Sequence, residues 1–145
     1  GDELYMYEYA YAKEKMEKDL ADNSIEYFIL SDGPTYYGYM KLLLNADFSG
    51  DENKDAMEIE RIYLHKAAIG KGLGKKMMAL AMQRALELKK QIIFLKAMDS
   101  SIDAINFYKK MGYTICGNLQ LPMPVFSLMK KEYRGMLVLK IIVGE

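Results

Sequence analysis

The chain has 145 residues, 51% of them apolar and 28% charged, which suits one folded domain with a real hydrophobic core. Twenty Lys and Arg are balanced by twenty Asp and Glu, a composition without the cationic excess that broad nucleic-acid binding requires. A single histidine excludes a cluster of several histidine ligands, and no apolar run approaches the ~20 residues of a membrane-spanning helix, so neither a metal, nor nucleic acid, nor a membrane is expected.

Across residues 4–20, Tyr5, Tyr9, Ala12, Met16 and Leu20 recur at helical spacing with charged residues between them, and Asp22-Asn23-Ser24 ends the helix. Residues 25–30 and 36–44 read as two strands of a hairpin around Ser-Asp-Gly-Pro-Thr. Residues 45–55 are polar and read as a loop. Residues 56–64 form a strand with Glu58, Glu60 and Ile62 on one face and Met57, Ile59 and Arg61 on the other, an alternation that a bulge would break.

After a glycine-rich stretch, Leu73, Met77, Leu80, Ala81 and Leu88 trace one face of a long helix. Residues 91–97 are too continuously apolar for a surface strand and suit a buried, parallel one. Asp99, Ser100 and Ser101 can cap a further helix whose Ala104, Phe107, Tyr108 and Met111 share a face and which stops at Gly112. Residues 113–119 and 136–143 read as closing strands on either side of Pro122-Met123-Pro124. The lone Cys116 cannot close an internal disulfide, which points to a reducing, cytoplasmic setting. Within its strand it is expected to fill core space as a small apolar residue. The whole chain, 1–145, is expected to be one α/β (α+β) domain with a mixed sheet.

The stretch His65-Lys-Ala-Ala-Ile-Gly-Lys-Gly-Leu-Gly-Lys-Lys-Met-Met78 is where chemistry is expected. Glycines that open a helix let backbone amides approach an anion, commonly a phosphate. A nucleotide P-loop does not fit: Gly74-Lys75 has Ile69 where the first glycine belongs and Lys76 where Ser or Thr belongs, and Gly70-Lys71 starts at His65. The dinucleotide fingerprint fails as well, ending at Lys75 or Met77 instead of glycine.

Ile69-Gly70-Lys71-Gly72-Leu73-Gly74 resembles the pyrophosphate loop of the GNAT acyltransferases, Q/R-x-x-G-x-G/A, matching at Gly72 and Gly74 and departing at Ile69. A second stretch, Ser101-x-x-Ala104-x-x-Phe107-Tyr108-x-x-x-Gly112-Tyr113, is similar to that family's N-x-x-A-x-x-F/L-Y-x-x-x-G-F/Y motif, with Ser101 in place of Asn. The resemblance covers roughly residues 25–119 and looks most like bacterial spermidine/spermine N-acetyltransferases. It implies the GNAT fold, with a sheet splayed at the coenzyme site. It also implies acetyl-CoA as cosubstrate, a small polyamine-like amine as acceptor, and no metal.

By the same resemblance, the loop from Ile69 to Lys75 would hold the pyrophosphate, with Lys71 or Lys75 reaching the 3′-phosphate. The strand edge at Ile62, Tyr63 and Leu64 would pair with pantetheine and supply an oxyanion donor. Ser101 and Tyr108 would contact the coenzyme, with Tyr108 as general acid toward its sulfur. Glu58 and Glu60 are the candidate bases; Glu58 aligns with the glutamate that serves in part of the family. His65 reads as a solvated loop residue.

The family also begins with a strand and helix that have no counterpart here. Either the chain starts short of them, or a second copy covers the exposed sheet edge as a homodimer. Two other readings stay open: an acyl-CoA-binding protein without turnover, and an acetyltransferase acting on protein or peptide amines.

Overall fold

The computed structural model describes residues 13, 14, 16–19, 21–48, 55–120 and 135–144. Six strands form one sheet in the order β1-β2-β3-β4-β6-β5: β1 (Ile25–Asp32), β2 (Thr35–Ala46), β3 (Ala56–Leu64), β4 (Ile92–Met98), β5 (Thr114–Gln120) and β6 (Gly135–Ile142). Helix α1 (Leu73–Glu87) joins β3 to β4, and helix α2 (Ile102–Lys110) joins β4 to β5. Residues 13, 14 and 16–19 are helical. The rest of the expected first helix, with Tyr5, Tyr7, Tyr9 and Tyr11, lies outside the described residues, as does Pro122-Met123-Pro124.

All neighbouring strands run antiparallel except β3 and β4, which are parallel because α1 crosses between them. The expectation of a parallel strand at residues 91–97 therefore holds on one side only, since β6 runs antiparallel along the other. Turn chemistry sets the first hairpin: Gly33, at φ 58°, and Pro34 make the two-residue connection between β1 and β2. The strands extend farther into that turn than the sequence pattern suggested.

One face of the sheet carries α1 and α2. Met40 and Leu42 of β2, Met57 and Ile59 of β3, and Ile93 and Leu95 of β4 bury themselves there against Met77, Met78, Ala81 and Ala85 of α1. Small alanines at 81 and 85 let that helix lie close to the strands. A fork from Arg84 to Glu26, with bonds of 2.6 and 2.7 Å, ties the helix to the edge strand β1. On the opposite face Tyr27, Tyr39 and Tyr63 stack across three strands, with ring centroids 6.4 and 6.2 Å apart.

Two bulges change which side chains face which way. In β3 the register against β2 slips so that Lys41 pairs with Arg61 and Leu42 with Ile59, leaving Glu60 as the extra residue. Beyond it the alternation inverts. Ile62 and Leu64 join the helix-side core, and Tyr63 faces the tyrosine stack. Ile62 thus parts from Glu58 and Glu60, contrary to the simple alternation.

Cys116 likewise departs from the core position expected of it. In β5 the register jumps from Ile115 to Gly117, and Cys116 is exposed, not core. A bulge on an edge strand leaves the extra residue without a partner strand to bury it.

Close approach at Gly38 aligns β2 with the end of β3. A Cβ there would run into the carbonyl oxygen of Tyr63. Gly38→Ala is expected to cost on the order of 2–3 kcal/mol of stability, measured by urea unfolding. A variant as stable as the parent would show that the pairing has slack.

Candidate active site

The glycine loop begins with a 3-10 turn, Lys66–Ala68, which His65 caps by accepting the Ala67 N–H at Nδ1, 3.2 Å away. Gly70 and Gly72 both lie in the left-handed region, at φ 88° and 75°. A Cβ at either would meet nothing, so backbone conformation, not space, calls for glycine. At Gly74 space decides instead: a Cβ would stand 3.2 Å from the Phe107 ring of α2.

Gly72 is the N-cap of α1 and, having no side chain, makes no side-chain capping bond to the helix start. The bond from the Lys76 N–H to the Gly72 carbonyl opens the ladder, so the amides before it have no intrahelical acceptor. No acid stands in the first turn, where Lys75 and Lys76 are found instead. Positive side chains there oppose the helix dipole, an arrangement that an anion would relieve.

Two cavities meet beside this helix start. One, of about 500 Å³, lies between the glycine loop and α2 and is lined by Ile69, Gly70, Gly72, Lys75, Phe107 and Tyr108, among others. The other, of about 310 Å³, lies between β3 and β4. It exists because those strands pair only at Ala56↔Ile92, Met57↔Ile93 and Glu58↔Phe94 and then separate. Its walls include Tyr39, Glu60, Arg61, Tyr63, Lys96 and Ser101. Ile62, Ala104 and Tyr108 border both cavities. Burial raises the Tyr108 pKa, keeping its phenol protonated.

The two glutamates share the sheet face away from α1 but differ in surroundings. Glu58 sits at the last pair before the strands part and is 8% exposed. Burial raises its pKa; Lys96, 3.8 Å away, works against that, and Glu60 adds to it. Glu60 lies in the cavity wall and is held by Lys41 at 2.9 Å.

The sequence model for the acetyltransferase (GNAT) family matches residues 2–113. The chain belongs to that family. It is 34% identical over 91 residues to an uncharacterized N-acetyltransferase of Lactobacillus delbrueckii subsp. lactis, a match covering 63% of this chain and 52% of that protein. It is 31% identical over 83 residues to a probable spermine N(1)-acetyltransferase of Bacillus subtilis subsp. natto, covering 57% and 55%. The chain thus spans about half the length of the curated relatives it matches. The fold recurs in the Vibrio cholerae spermidine N-acetyltransferase solved with CoA and spermine, at a TM-score of 0.70 and 18% identity over 91% of this chain and 73% of that one.

Within this GNAT domain, the sequence-derived residues fall into three places. Ile62, Leu64, Ile69, Gly70, Gly72, Gly74 and Lys75 line the larger cavity. Tyr63, Ser101 and Glu60 line the interstrand one. Glu58, Lys71 and Leu73 are among the lining residues of neither; Glu58 stands just short of the interstrand cavity, at the last β3–β4 pair, and Lys71 lies over the Tyr37 ring, 5.9 Å from its centroid. Ser101 is the N-cap of α2, but no side chain caps that helix, contrary to expectation.

Sequence reading passed over Lys41, Asp19 and Lys96. A lysine inside an apolar strand, as in Tyr-Met-Lys-Leu-Leu or Phe-Leu-Lys-Ala, was the available signal.

Because burial raises the Glu58 pKa, the folded state disfavours the charged carboxylate. That cost appears as pH rises through the folded-state pKa and is absent below the unfolded one. Glu58→Gln is therefore expected to raise the melting temperature near pH ~8, with the gain fading as pH falls below the ordinary glutamate value of about 4.3. A lower melting temperature for the variant near pH ~8 would contradict this.

Proposed function

We propose that this domain transfers the acetyl group of acetyl-CoA to a primary amine of a small molecule by direct attack. The observation that carries the reading is Tyr108, which stands where the cavity at the helix start meets the cavity between the strands. A bound coenzyme would place its pyrophosphate on the uncapped amides of α1 near Lys75. Its pantetheine would run toward the free edge of β3, and the acceptor would enter between β3 and β4.

The chemistry assigns the remaining roles. A primary amine of pKa about 10.4 must lose a proton before it can attack. Glu58, at the last β3–β4 pair just short of the cavity lining, is the base through one intervening water; burial raises its pKa, so it takes up a proton more readily than a free glutamate. Glu60 receives the acceptor's ammonium in the cavity wall. An N–H of the Ile62–Leu64 edge faces the oxyanion. Tyr108 donates a hydrogen bond to the departing sulfur; a phenol is a weaker acid than a thiol of pKa about 8.5, so its gain is modest.

For the acceptor, the spermine- and spermidine-acetylating relatives favour a polyamine. Tyr63 in the cavity wall is the aromatic side chain placed to meet an ammonium, since Tyr39 is 2% exposed between Tyr27 and Tyr63. Arg61 and Lys96 are in the same wall, so one terminal amine enters and the remaining charges stay outside.

Turnover with a panel of polyamines, amino acids and a lysine peptide tests the activity. Tyr108→Phe is expected to lower kcat about 10- to 100-fold with little change in the KM for acetyl-CoA. Equal kcat would remove Tyr108 from the chemistry. The exposed Ile69, apolar at the rim of the larger cavity, favours a second reading, a binding protein without turnover. Tight coenzyme binding with every amine inert would support that one instead.

A further inference from the structure

Lys41 is 8% exposed, on the sheet face opposite α1 and α2. Its ammonium touches two carboxylates at once, Glu60 at 2.9 Å and Asp19 at 3.1 Å. Tyr27 closes the assembly: its hydroxyl donates to Asp19 at 2.8 Å, and the Lys41 ammonium lies 5.7 Å from its ring centroid. Three side chains, from the segment before β1, from β1 and from the bulge of β3, thus meet around the buried Lys41 ammonium of β2. One member, Glu60, is the only carboxylate among the described residues lining the interstrand cavity.

A buried ammonium between two carboxylates has two possible uses, a proton wire or a fixed clamp. Burial acts to lower the Lys41 pKa, but its bonds to Glu60 and Asp19 outweigh that and hold it above the ordinary lysine value. An ammonium so reluctant to give up its proton serves poorly as a wire. The Glu60 side chain keeps 38% of its surface exposed, so without the clamp it would be free to turn to solvent. The bulge supplies the reason for one: the extra residue of a bulge is not held by the ladder, and its side chain needs another anchor.

We propose that Lys41 is a positioning residue: backed by Asp19, its ammonium fixes the Glu60 carboxylate in the cavity wall, where it receives the ammonium end of the acceptor amine. This deepens the acetyltransferase reading and rests on it for the acceptor alone. The clamp also makes residue 19, at the end of the helical segment before β1, part of the acceptor side of the site. A change that shifts that segment would change amine affinity without touching the coenzyme.

The test is a double-mutant cycle with spermine as acceptor, using Lys41→Met, Glu60→Gln and the pair together. Lys41→Met is expected to raise the KM for spermine about 10- to 30-fold, with the KM for acetyl-CoA changed less than about twofold. The pair should be no worse than Glu60→Gln alone, because Lys41 acts through Glu60. Lys41→Arg, which keeps the charge and the donors but cannot pass a proton, should restore spermine KM to within about threefold of the parent. Additive losses, or an inactive Lys41→Arg, would overturn the proposal.

If Lys41→Met does not fold, Lys41→Gln with Asp19→Asn removes the ammonium and its second carboxylate together, leaving Glu60 the only charged member of the cluster, and takes its place. Crystal structures of the parent and the variant decide the clamp without any turnover: Glu60 should leave the cavity wall in the variant. Were the parent to acetylate nothing, the acetyltransferase reading would fail, and a Glu60 unmoved in the variant would still refute the clamp.

Discussion

Three residue pairs hold β3 to β4, and the site depends on there being no more. From Ala56↔Ile92 to Glu58↔Phe94 the strands are joined; beyond that they separate, and among the described residues the edge of β3 has no further strand partner. A buried sheet normally closes such an edge, because unpaired backbone groups in the interior are costly. Here the gap opens into the interstrand cavity. Glu58 stands at the apex, the Glu60 bulge lies just past it, and Tyr108 looks in from α2.

Electrostatics divides the site in two. At the start of α1, lysines stand where the helix dipole would favour acids, without a capping side chain. Each misplaced charge costs roughly 0.3–1 kcal/mol at an exposed helix end, so the loop has positive potential to spare. On the far face of the sheet one ammonium, Lys41, is shared by two carboxylates, Asp19 and Glu60, with Tyr27 bonded to Asp19, so the cluster formally carries one negative charge in excess. On the proposed function the two halves take two different visitors, a polyanion at the helix and an amine at the sheet. Only the border formed by Ile62, Ala104 and Tyr108 belongs to both cavities.

Much of this was legible in the sequence because it is local. The glycine loop, the helix after it, the stop at Gly112 and the succession of helices and strands along the chain follow from turn chemistry and periodicity, and the two motifs pointed to the family; the order of the strands in the sheet does not follow from them. What escaped notice was set by pairing between distant segments. The bulge at Glu60 depends on how β3 registers with β2, so the sequence could not say that Ile62 would turn to the core. Cys116 looked buried because its neighbours are strand-like, but β5 ends the sheet and bulges there. Lys41 was visible as an odd charge in an apolar strand, yet its partners lie 22 residues before it and 19 after it in the chain.

The most direct measurement is a calorimetric titration with acetyl-CoA, with ATP and dephospho-CoA run alongside. If the uncapped start of α1 and the gap beside β3 together hold a coenzyme, acetyl-CoA should bind with a micromolar dissociation constant, about −8 kcal/mol, while ATP gives no signal. Dephospho-CoA should bind more weakly if Lys75 reaches the 3′-phosphate. No heat with acetyl-CoA, or ATP binding as tightly, would contradict the coenzyme assignment and with it the roles given to Tyr108 and the glutamates.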